Sequence, residues 1–366
     1  MKLFTELNLL PTLQATLDEK GFTTPTEIQS RALPSLLKGR SLVGVAETGS
    51  GKTLTYALPI LHLLKILEDE GNRITVESQP RAVVIVPTRE LGEQVSRVFK
   101  DFTHTTRLRV RTVLGGTTPE VAKRSLQGSF EVLVATPGRL VKLLDRRLVN
   151  FSDVRVLVFD EADQMLDPTF IKDAGRITTA CPVKLQMVLF SATISASVQT
   201  MMTNLFKNAE VIRSQGCHKT VPSLTTKNVV VKDGKRLPHL ESVLRESAKG
   251  GTLLFTNTRE QCDQLAEEVK KLGHTCAVYR GEMDKVERRA NLKSFREGKI
   301  ELLISTDLAS RGLDVDHVGR VINYHLPRQI ENYIHRVGRT ARAGRKGLVI
   351  NFVTERDQAL INELAS

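Results

Sequence analysis

Tryptophan is absent from this chain, and aromatic residues make up only 5% of it. A protein that grips nucleic acid by stacking bases on rings needs more of them, so stacking is excluded as the main mode of any nucleic-acid binding. Cysteine is scarce too. Cys181, Cys217, Cys262 and Cys276 stand apart with no C-x-x-C pair. That excludes a disulfide framework and a zinc finger, and it fits a reducing compartment. Long apolar runs are also missing. The longest, around Leu58–Leu67, contains His62 and Lys65 and is too short to span a bilayer. Met1–Leu10 holds Lys2 and Glu6 and lacks the uninterrupted apolar core of a signal peptide. No low-complexity tract and no short repeat period occurs. The expectation is a soluble, cytoplasmic protein with no membrane partner.

What is present points elsewhere. The 366 residues are about two and a half times the ~150-residue prior for one domain, enough for two cores of ordinary size. Hydrophobic residues at 40% and charged residues at 26% give a globular balance and exclude a wholly disordered chain. The 53 Lys and Arg outnumber the 41 Asp and Glu, a net charge of +12. A basic surplus suits a polyanionic partner, although surface lysine also serves solubility.

Short β-branched runs alternate with helical stretches. Ser41–Val45, Ala82–Val86, Glu131–Ala135, Val154–Asp160 and Leu185–Ser191 read as strands. Several are apolar on successive residues, the pattern of strands buried on both faces of a parallel sheet. Thr53–Leu67, Arg89–Phe102 and Ser195–Phe206 read as helices between them. Ser214–Ser223 is polar, holds Gly216 and Pro222 and has no periodicity, so it reads as a linker. The alternation then restarts, with strands at Thr252–Thr256, Thr275–Tyr279, Glu301–Ser305, Arg320–Tyr324 and Gly347–Val353. Helices are expected at Thr258–Leu272, Lys285–Arg296 and Gln329–Val337, with a closing helix over Ala359–Leu364 and no basic tail or appended module after it. The economical reading is two α/β domains: residues 1–213, a linker at 214–222, and residues 223–366. Thr-Arg-Glu follows a strand in both halves, at Thr88–Glu90 and Thr258–Glu260, a faint echo of a duplicated fold.

Ala46-Glu47-Thr48-Gly49-Ser50-Gly51-Lys52-Thr53 follows a strand and opens a helix. Glycines let backbone N–H groups converge on phosphate oxygens, and a helix N-terminus adds its positive dipole end. Lys52 can reach the β- and γ-phosphates, and Thr53 can place its hydroxyl on Mg²⁺. The strict pattern has Gly where Ala46 stands. The bland alternative, a glycine-rich turn with an incidental lysine, does not account for the strand–loop–helix context. Further on, Val156–Phe159 runs into Asp160-Glu161-Ala162-Asp163. A carboxylate at the end of a buried strand holds magnesium in phosphate-loop ATPases, and Asp160 is placed for it. Glu161 can orient or deprotonate the attacking water. An acidic turn capping the next helix is the competing reading, and the phosphate loop upstream weighs against it.

His335–Arg345 holds Arg336, Arg339, Arg342 and Arg345 at spacing three, interrupted by Gly338 and Gly344. Two readings stand side by side: a nucleic-acid patch, or arginine fingers directed at a phosphate and acting across a cleft between the domains.

Taken together, these motifs resemble the DEAD-box RNA helicases, superfamily-two ATPases. The resemblance runs from about Phe4 to Val353, with many separate motifs in the right order. It implies two tandem RecA-like domains, each a mainly parallel sheet flanked by helices. Phe4, Gly21-Phe22 and Pro25–Gln29 look like the family's Q motif, with Glu27 where a second Pro is usual. By resemblance Gln29 hydrogen-bonds the adenine edge and Phe22 stacks on it. Ala46 is what the family normally has. Glu47, Thr48, Gly49, Ser50, Gly51, Lys52 and Thr53 then complete the phosphate loop, Asp314 meets the ribose, and Thr53 and Asp160 hold Mg²⁺. Lys52, Asp160, Glu161, Arg339 and Arg342 are implied to be catalytic, the last two as fingers. Pro87, Thr88, Arg89, Gly116 (after Gly115), Thr136, Pro137, Gly138 and Arg139 resemble the RNA-backbone segments of the first domain. Thr256, Gly281 and Thr306 resemble those of the second. Asp163, Ser191, Thr193 and His335 are implied to couple the ATP state to RNA strand separation. Arg280 stands where the family commonly has His, the expected Gln near Lys285 is absent, and Ala341 replaces a frequent Gly.

The resemblance implies an RNA-stimulated ATPase that opens or remodels short RNA duplexes and RNA–protein complexes locally, without long translocation. ATP and Mg²⁺ are the expected cofactors. RNA, gripped mainly by its backbone, is the expected partner of a monomer, with protein cofactors as further partners. Engagement of the fingers only on closure would couple ATP and RNA by population shift. Fingers are worth roughly 10³–10⁵ in rate in other phosphate-transferring systems. Backbone grip implies weak sequence preference, steep salt dependence and discrimination of RNA through its 2′-hydroxyl. Three rivals have separate signatures. A clamp that holds rather than unwinds would show slow product release. A DNA-directed translocase would be indifferent to RNA. A non-catalytic binder would not need Lys52, Glu161, Arg339 and Arg342 intact.

Overall fold

The computed structural model describes residues 3–47, 49–165, 168–214, 224–246, 248, 250–307, 315, 318–340 and 346–365. The chain divides into two compact units, Met1–Cys217 and His218–Ser366. In the first, β1 (Leu42–Val45), β2 (Ala82–Ile85), β3 (Val110–Val113), β4 (Val132–Ala135), β5 (Val156–Phe159), β6 (Gln186–Ser191) and β7 (Glu210–Arg213) form one sheet. Their order is β3-β4-β2-β5-β6-β1-β7, and every pair is parallel. The consecutive apolar residues of β2 show why. Ala82 and Val84 pack into one core with Val132 and Val156, whereas Val83 and Ile85 pack into another with Leu133 and Leu157. Both faces are covered by helices, so both must be apolar.

The helix Arg89–Thr106 illustrates how the cover is made. The Thr88 hydroxyl accepts the Leu91 N–H at 3.2 Å and starts it. Leu91, Val95, Phe99 and Phe102 recur at helical spacing and are buried, each side chain contributing about 1.5–3 kcal/mol of burial. Arg107, at φ 59°, turns the chain out of the helix and donates to Thr103 O.

In the second unit β8 (Leu224–Val230), β9 (Gly251–Thr256), β10 (Cys276–Tyr279), β11 (Leu302–Thr306), β12 (Val318–Asn323) and β13 (Gly347–Val353) pair in the order β10-β11-β9-β12-β13-β8, again all parallel. This is the order of the first sheet with every strand advanced by one unit's worth of strands and, among the described residues, without a counterpart of β7. The Thr-Arg-Glu echo falls on equivalent places: Thr88 follows β2, Thr258 follows β9, and each threonine hydroxyl caps the next helix. Strands β3, β7 and β8 are additions to the sequence reading. All three lie at sheet edges. The other strands sit within a residue or two of their expected bounds. Among the described residues, no helix is long and apolar enough to cross a membrane.

Candidate nucleotide and RNA site

Parallel pairing brings the C-terminal ends of all strands in a unit to one edge, where ligands bind in such folds. In the first unit that edge carries two adjacent groups. The neighbours β5, β6 and β1 deliver Asp160–Asp163, Ser191–Thr193 and the phosphate loop. The neighbours β2, β4 and β3 deliver Pro87–Arg89, Thr136–Arg139 and Gly115–Gly116.

The phosphate loop leaves β1 at Ala46, whose N–H donates to Ser191 O at 3.0 Å. Gly49 and Gly51 lie at φ 88° and 89°, the left-handed region that favours glycine. A side chain at Gly51 would also meet the Gln29 amide at 2.5 Å. Helix Lys52–Asp69 starts there. Lys52 is buried, and its ammonium donates to Ala46 O at 2.8 Å and Glu47 O at 3.1 Å. Ser50 Oγ donates to Glu47 O at 2.7 Å. Burial raises the Glu47 carboxyl above its ordinary value, opposed by the charge of Lys52. Thr48 lies outside the described residues.

The Q-motif segment is tied to this loop. Thr26 Oγ1 donates to Ser50 O at 2.7 Å, and Gln29 Nε2 donates to Gly51 O at 3.1 Å. Gln29 Oε1 accepts the Thr26 N–H at 2.8 Å in a capping box that opens the helix Glu27–Leu37. Gln29 is 4% exposed, so its amide is engaged with the loop. Phe22 is 44% exposed and presents an open ring, whereas Phe4 is buried in the core.

Asp160 follows β5. Its Oδ1 accepts the Glu161 N–H at 3.0 Å and its Oδ2 accepts the Tyr56 hydroxyl at 2.8 Å. Tyr56 lies on the phosphate-loop helix and was not singled out by sequence, because a tyrosine among apolar neighbours reads as core. Burial, then the adjacent Glu161 charge, raises the Asp160 carboxyl to about 6. Glu161 is buried and holds φ 51°, ψ 50°, a strained conformation for a non-glycine residue. The Gln164 amide donates to its carboxylate. Asp163 Oδ2 gathers the Ala192 N–H at 3.1 Å, the Thr193 N–H at 2.9 Å and the Thr193 hydroxyl at 3.1 Å. Ser191 Oγ donates to Thr193 O at 2.6 Å. The acidic turn and the end of β6 are thus one hydrogen-bonded body.

A carboxyl raised by burial destabilises the fold where it is ionised. The folded value of about 6 exceeds the ordinary 3.8, so its contribution is most favourable below pH ~4 and is lost as pH rises through ~6. Asp160→Asn should therefore stabilise the nucleotide-free protein in EDTA by about 1–3 kcal/mol at pH 7.5, with no gain at pH 4. Denaturant unfolding at the two pH values checks this, and equal effects at both would refute it.

On the neighbouring strands, Thr88 caps its helix and Arg89 Nε donates to Glu93 at 2.8 Å. Gly116 has φ 77°. Thr136 precedes helix Pro137–Asp145, with Pro137 at its first position, Gly138 exposed and the Arg139 guanidinium on Thr117 O. In the second unit the equivalent neighbours β9, β11 and β10 bring Thr256, Thr306 and Gly281 to the corresponding flank. Thr256 and Thr306 are buried. Arg280 pairs with Asp263 at 2.8 Å.

The arginine run splits in character. Helix Ile330–Val337 ends before Arg339, so the spacing-three series does not continue as one helical face. Arg336 is 1% exposed. It reaches Asp307 at 2.5 and 2.9 Å, Asn323 Oδ1 at 3.0 Å, His325 O at 2.6 Å and Asn257 Oδ1 at 2.9 Å. It also lies 5.1 Å from the Phe255 ring centroid. Asn323, Asn351 and Asn228 extend this network across β12, β13 and β8. Sequence spacing gave no sign that Arg336 differs from Arg339. Arg339 is buried with Nε donating to His335 O at 3.1 Å, and His335 is buried. Asp314 and Arg342 lie outside the described residues.

Residues 26–201 match the family model described as DEAD/DEAH box helicase, and residues 235–344 match the helicase conserved C-terminal domain. The chain is 36% identical over 352 residues to the DEAD-box ATP-dependent RNA helicase RhpA of Helicobacter pylori strain B128, covering 96% of this chain and 69% of RhpA. It is 35% identical over 362 residues to the ATP-dependent RNA helicase DeaD of Buchnera aphidicola subsp. Baizongia pistaciae, covering 99% of this chain and 58% of that protein. Among solved structures, S. cerevisiae Dbp5 bound to RNA and ADP BeF3 is similar, with TM-score 0.87 and 28% identity over 100% of this chain and 93% of that one.

Proposed function

Because this chain belongs to the DEAD-box family of ATP-dependent RNA helicases, we propose that it hydrolyses ATP under stimulation by RNA and uses the cycle to open or remodel short RNA duplexes and RNA–protein complexes. The observation that carries this reading is the convergence of the phosphate loop, Asp160–Asp163 and Ser191–Thr193 on three adjacent strand ends.

Residues 1–213 hold the nucleotide in this reading, residues 223–366 supply the fingers, and 214–222 link them. The backbone from Ala46 to Thr53 and the Lys52 ammonium bind the phosphates, while Phe22 and Gln29 take the adenine and Asp314 the ribose. The donor set suits a hard divalent cation: a hydroxyl at Thr53 and, at Asp160, a carboxylate whose ionisation burial resists and a cation would favour. Mg²⁺ held there would neutralise phosphate charge. Glu161 orients the water and takes its proton. Arg339 and Arg342 are the fingers. Pro87–Arg89, Gly116 and Thr136–Arg139 with Thr256, Gly281 and Thr306 hold the RNA backbone. RNA bound by both units at once stimulates hydrolysis, and Asp163, Ser191, Thr193 and His335 transmit the nucleotide state. The protein works as a cytoplasmic monomer, with protein cofactors as further partners.

Steady-state ATPase with single-stranded RNA, matched DNA and no nucleic acid tests the proposal. RNA alone should stimulate strongly, and Lys52→Ala should abolish the stimulated rate. Equal rates in all three conditions would overturn it.

A further inference from the structure

We propose that Tyr56 is a positioning residue for the magnesium site, its hydroxyl setting the orientation of the Asp160 carboxylate. The inference rests on the reading of Asp160 and Thr53 as the residues that hold Mg²⁺.

Among the described residues, two hydrogen bonds fix the carboxylate of Asp160, one on each oxygen, and the side-chain one comes from Tyr56 at 2.8 Å. Tyr56 stands on the helix Lys52–Asp69, one turn beyond Thr53. One phenol on the phosphate-loop helix thus holds the Asp160 carboxylate, 104 residues further along the chain. The ring has no freedom to leave. Tyr56 is 1% exposed and lies against Phe99 and Phe190, with centroids 6.3 and 5.9 Å away. Phe190 is itself seated over Gly44, where an added Cβ would come within 2.2 Å of its ring. The absence of a side chain at Gly44 therefore admits Phe190, and Phe190 with Phe99 walls Tyr56. A neutral phenol beside a carboxylate is the donor and the carboxylate the acceptor.

Groups that orient a metal ligand from outside typically change metal affinity by about 10–100-fold when removed. Tyr56→Phe keeps the ring and its packing and deletes only the hydroxyl. The experiment titrates Mg²⁺ against binding of a fluorescent ADP analogue to the full chain. Tyr56→Phe should raise the Mg²⁺ midpoint about tenfold or more and leave nucleotide affinity in EDTA unchanged, and excess Mg²⁺ should restore binding. A wild-type midpoint would make the hydroxyl merely a satisfied core group and overturn the inference. Equal loss with and without Mg²⁺ would also overturn it, since the damage would then lie in the nucleotide pocket. Asp160→Asn separates the two levels. It should abolish the Mg²⁺ effect, and if it does so while Tyr56→Phe behaves as wild type, the inference fails and the reading of Asp160 stands. If Asp160→Asn keeps the wild-type midpoint, the reading itself falls.

Discussion

Glutamine in place of Glu161 should lower RNA-stimulated ATP turnover by roughly 10²–10⁴-fold, the range for loss of a general base, and should leave nucleotide binding intact. The reasons are geometric. Glu161 sits directly after the strand-end aspartate, is 3% exposed and is held at φ 51°, ψ 50°. A non-glycine residue kept there costs about 1–3 kcal/mol, and surrounding contacts must hold it. Gln164 N–H donates to Glu161 O at 3.0 Å, the Gln164 amide donates to its carboxylate, and its own N–H is on Asp160. Glutamine preserves the length, the backbone and an oxygen for Gln164 while removing the basic site. The expected signature is a collapse of kcat with little change in the affinity of a fluorescent nucleotide. Turnover within threefold of wild type would remove Glu161 from the chemistry. A parallel loss of binding would show that the substitution had disturbed the loop.

The second large effect concerns stability. Arg336→Met should destabilise the second unit by about 3–5 kcal/mol, the usual result of removing one partner of a buried ion pair. The guanidinium is nearly inaccessible, whereas the Asp307 side chain retains 23% exposure, so water can partly rescue the carboxylate and the lower end is expected. The substitution also strips hydrogen bonds from Asn323, Asn257 and His325 O. Hydrogen exchange read strand by strand is the suitable measurement in a two-unit chain. Amides of β9, β11 and β12 should exchange faster by two or more orders of magnitude, and those of β1, β5 and β6 should not change. Pairing Arg336→Met with Asp307→Leu should recover part of the loss, because no uncompensated charge then remains. Uniform acceleration in both units, or none, would refute the assignment of Arg336 as the anchor of the second unit.

How far the sequence could be read follows from burial. Strands such as Val83–Val86 and Val156–Phe159 stand between neighbours and under helices, so nearly every position is apolar and the run is plain. Strand β8 carries Thr225, Thr226, Lys227 and Asn228 on an edge where most positions are exposed, and β7 is likewise exposed except at Ile212. Neither has an apolar run to find. Edge strand β10 was found because Ala277 and Tyr279 are buried in alternation. At the site, glycine and lysine spacing revealed the phosphate loop because the backbone geometry demands those residues. Thr26 and Gln29 carried a legible signal too, the spacing of a capping box, although its attachment to Ser50 and Gly51 needed coordinates. Tyr56 and Arg336 were illegible for a different reason. Each is defined by what it meets across the fold, Asp160 in one case and Asp307, Asn323 and Asn257 in the other. No local pattern encodes such a meeting.

The pairing of β8 with β13 also sets a timetable for synthesis. The first sheet is complete once β7 has left the ribosome, since β7 closes onto β1. The second cannot be: its opening strand finds its partner only when Gly347–Val353 emerges. At about 5–20 residues per second, the roughly 140 residues from Arg213 to Val353 take about seven to thirty seconds. During that interval a finished first unit trails a half-made sheet whose β8 has no neighbour. A ribosome that stalls before Gly347 would release such a chain, with an unpaired strand edge open to association with others.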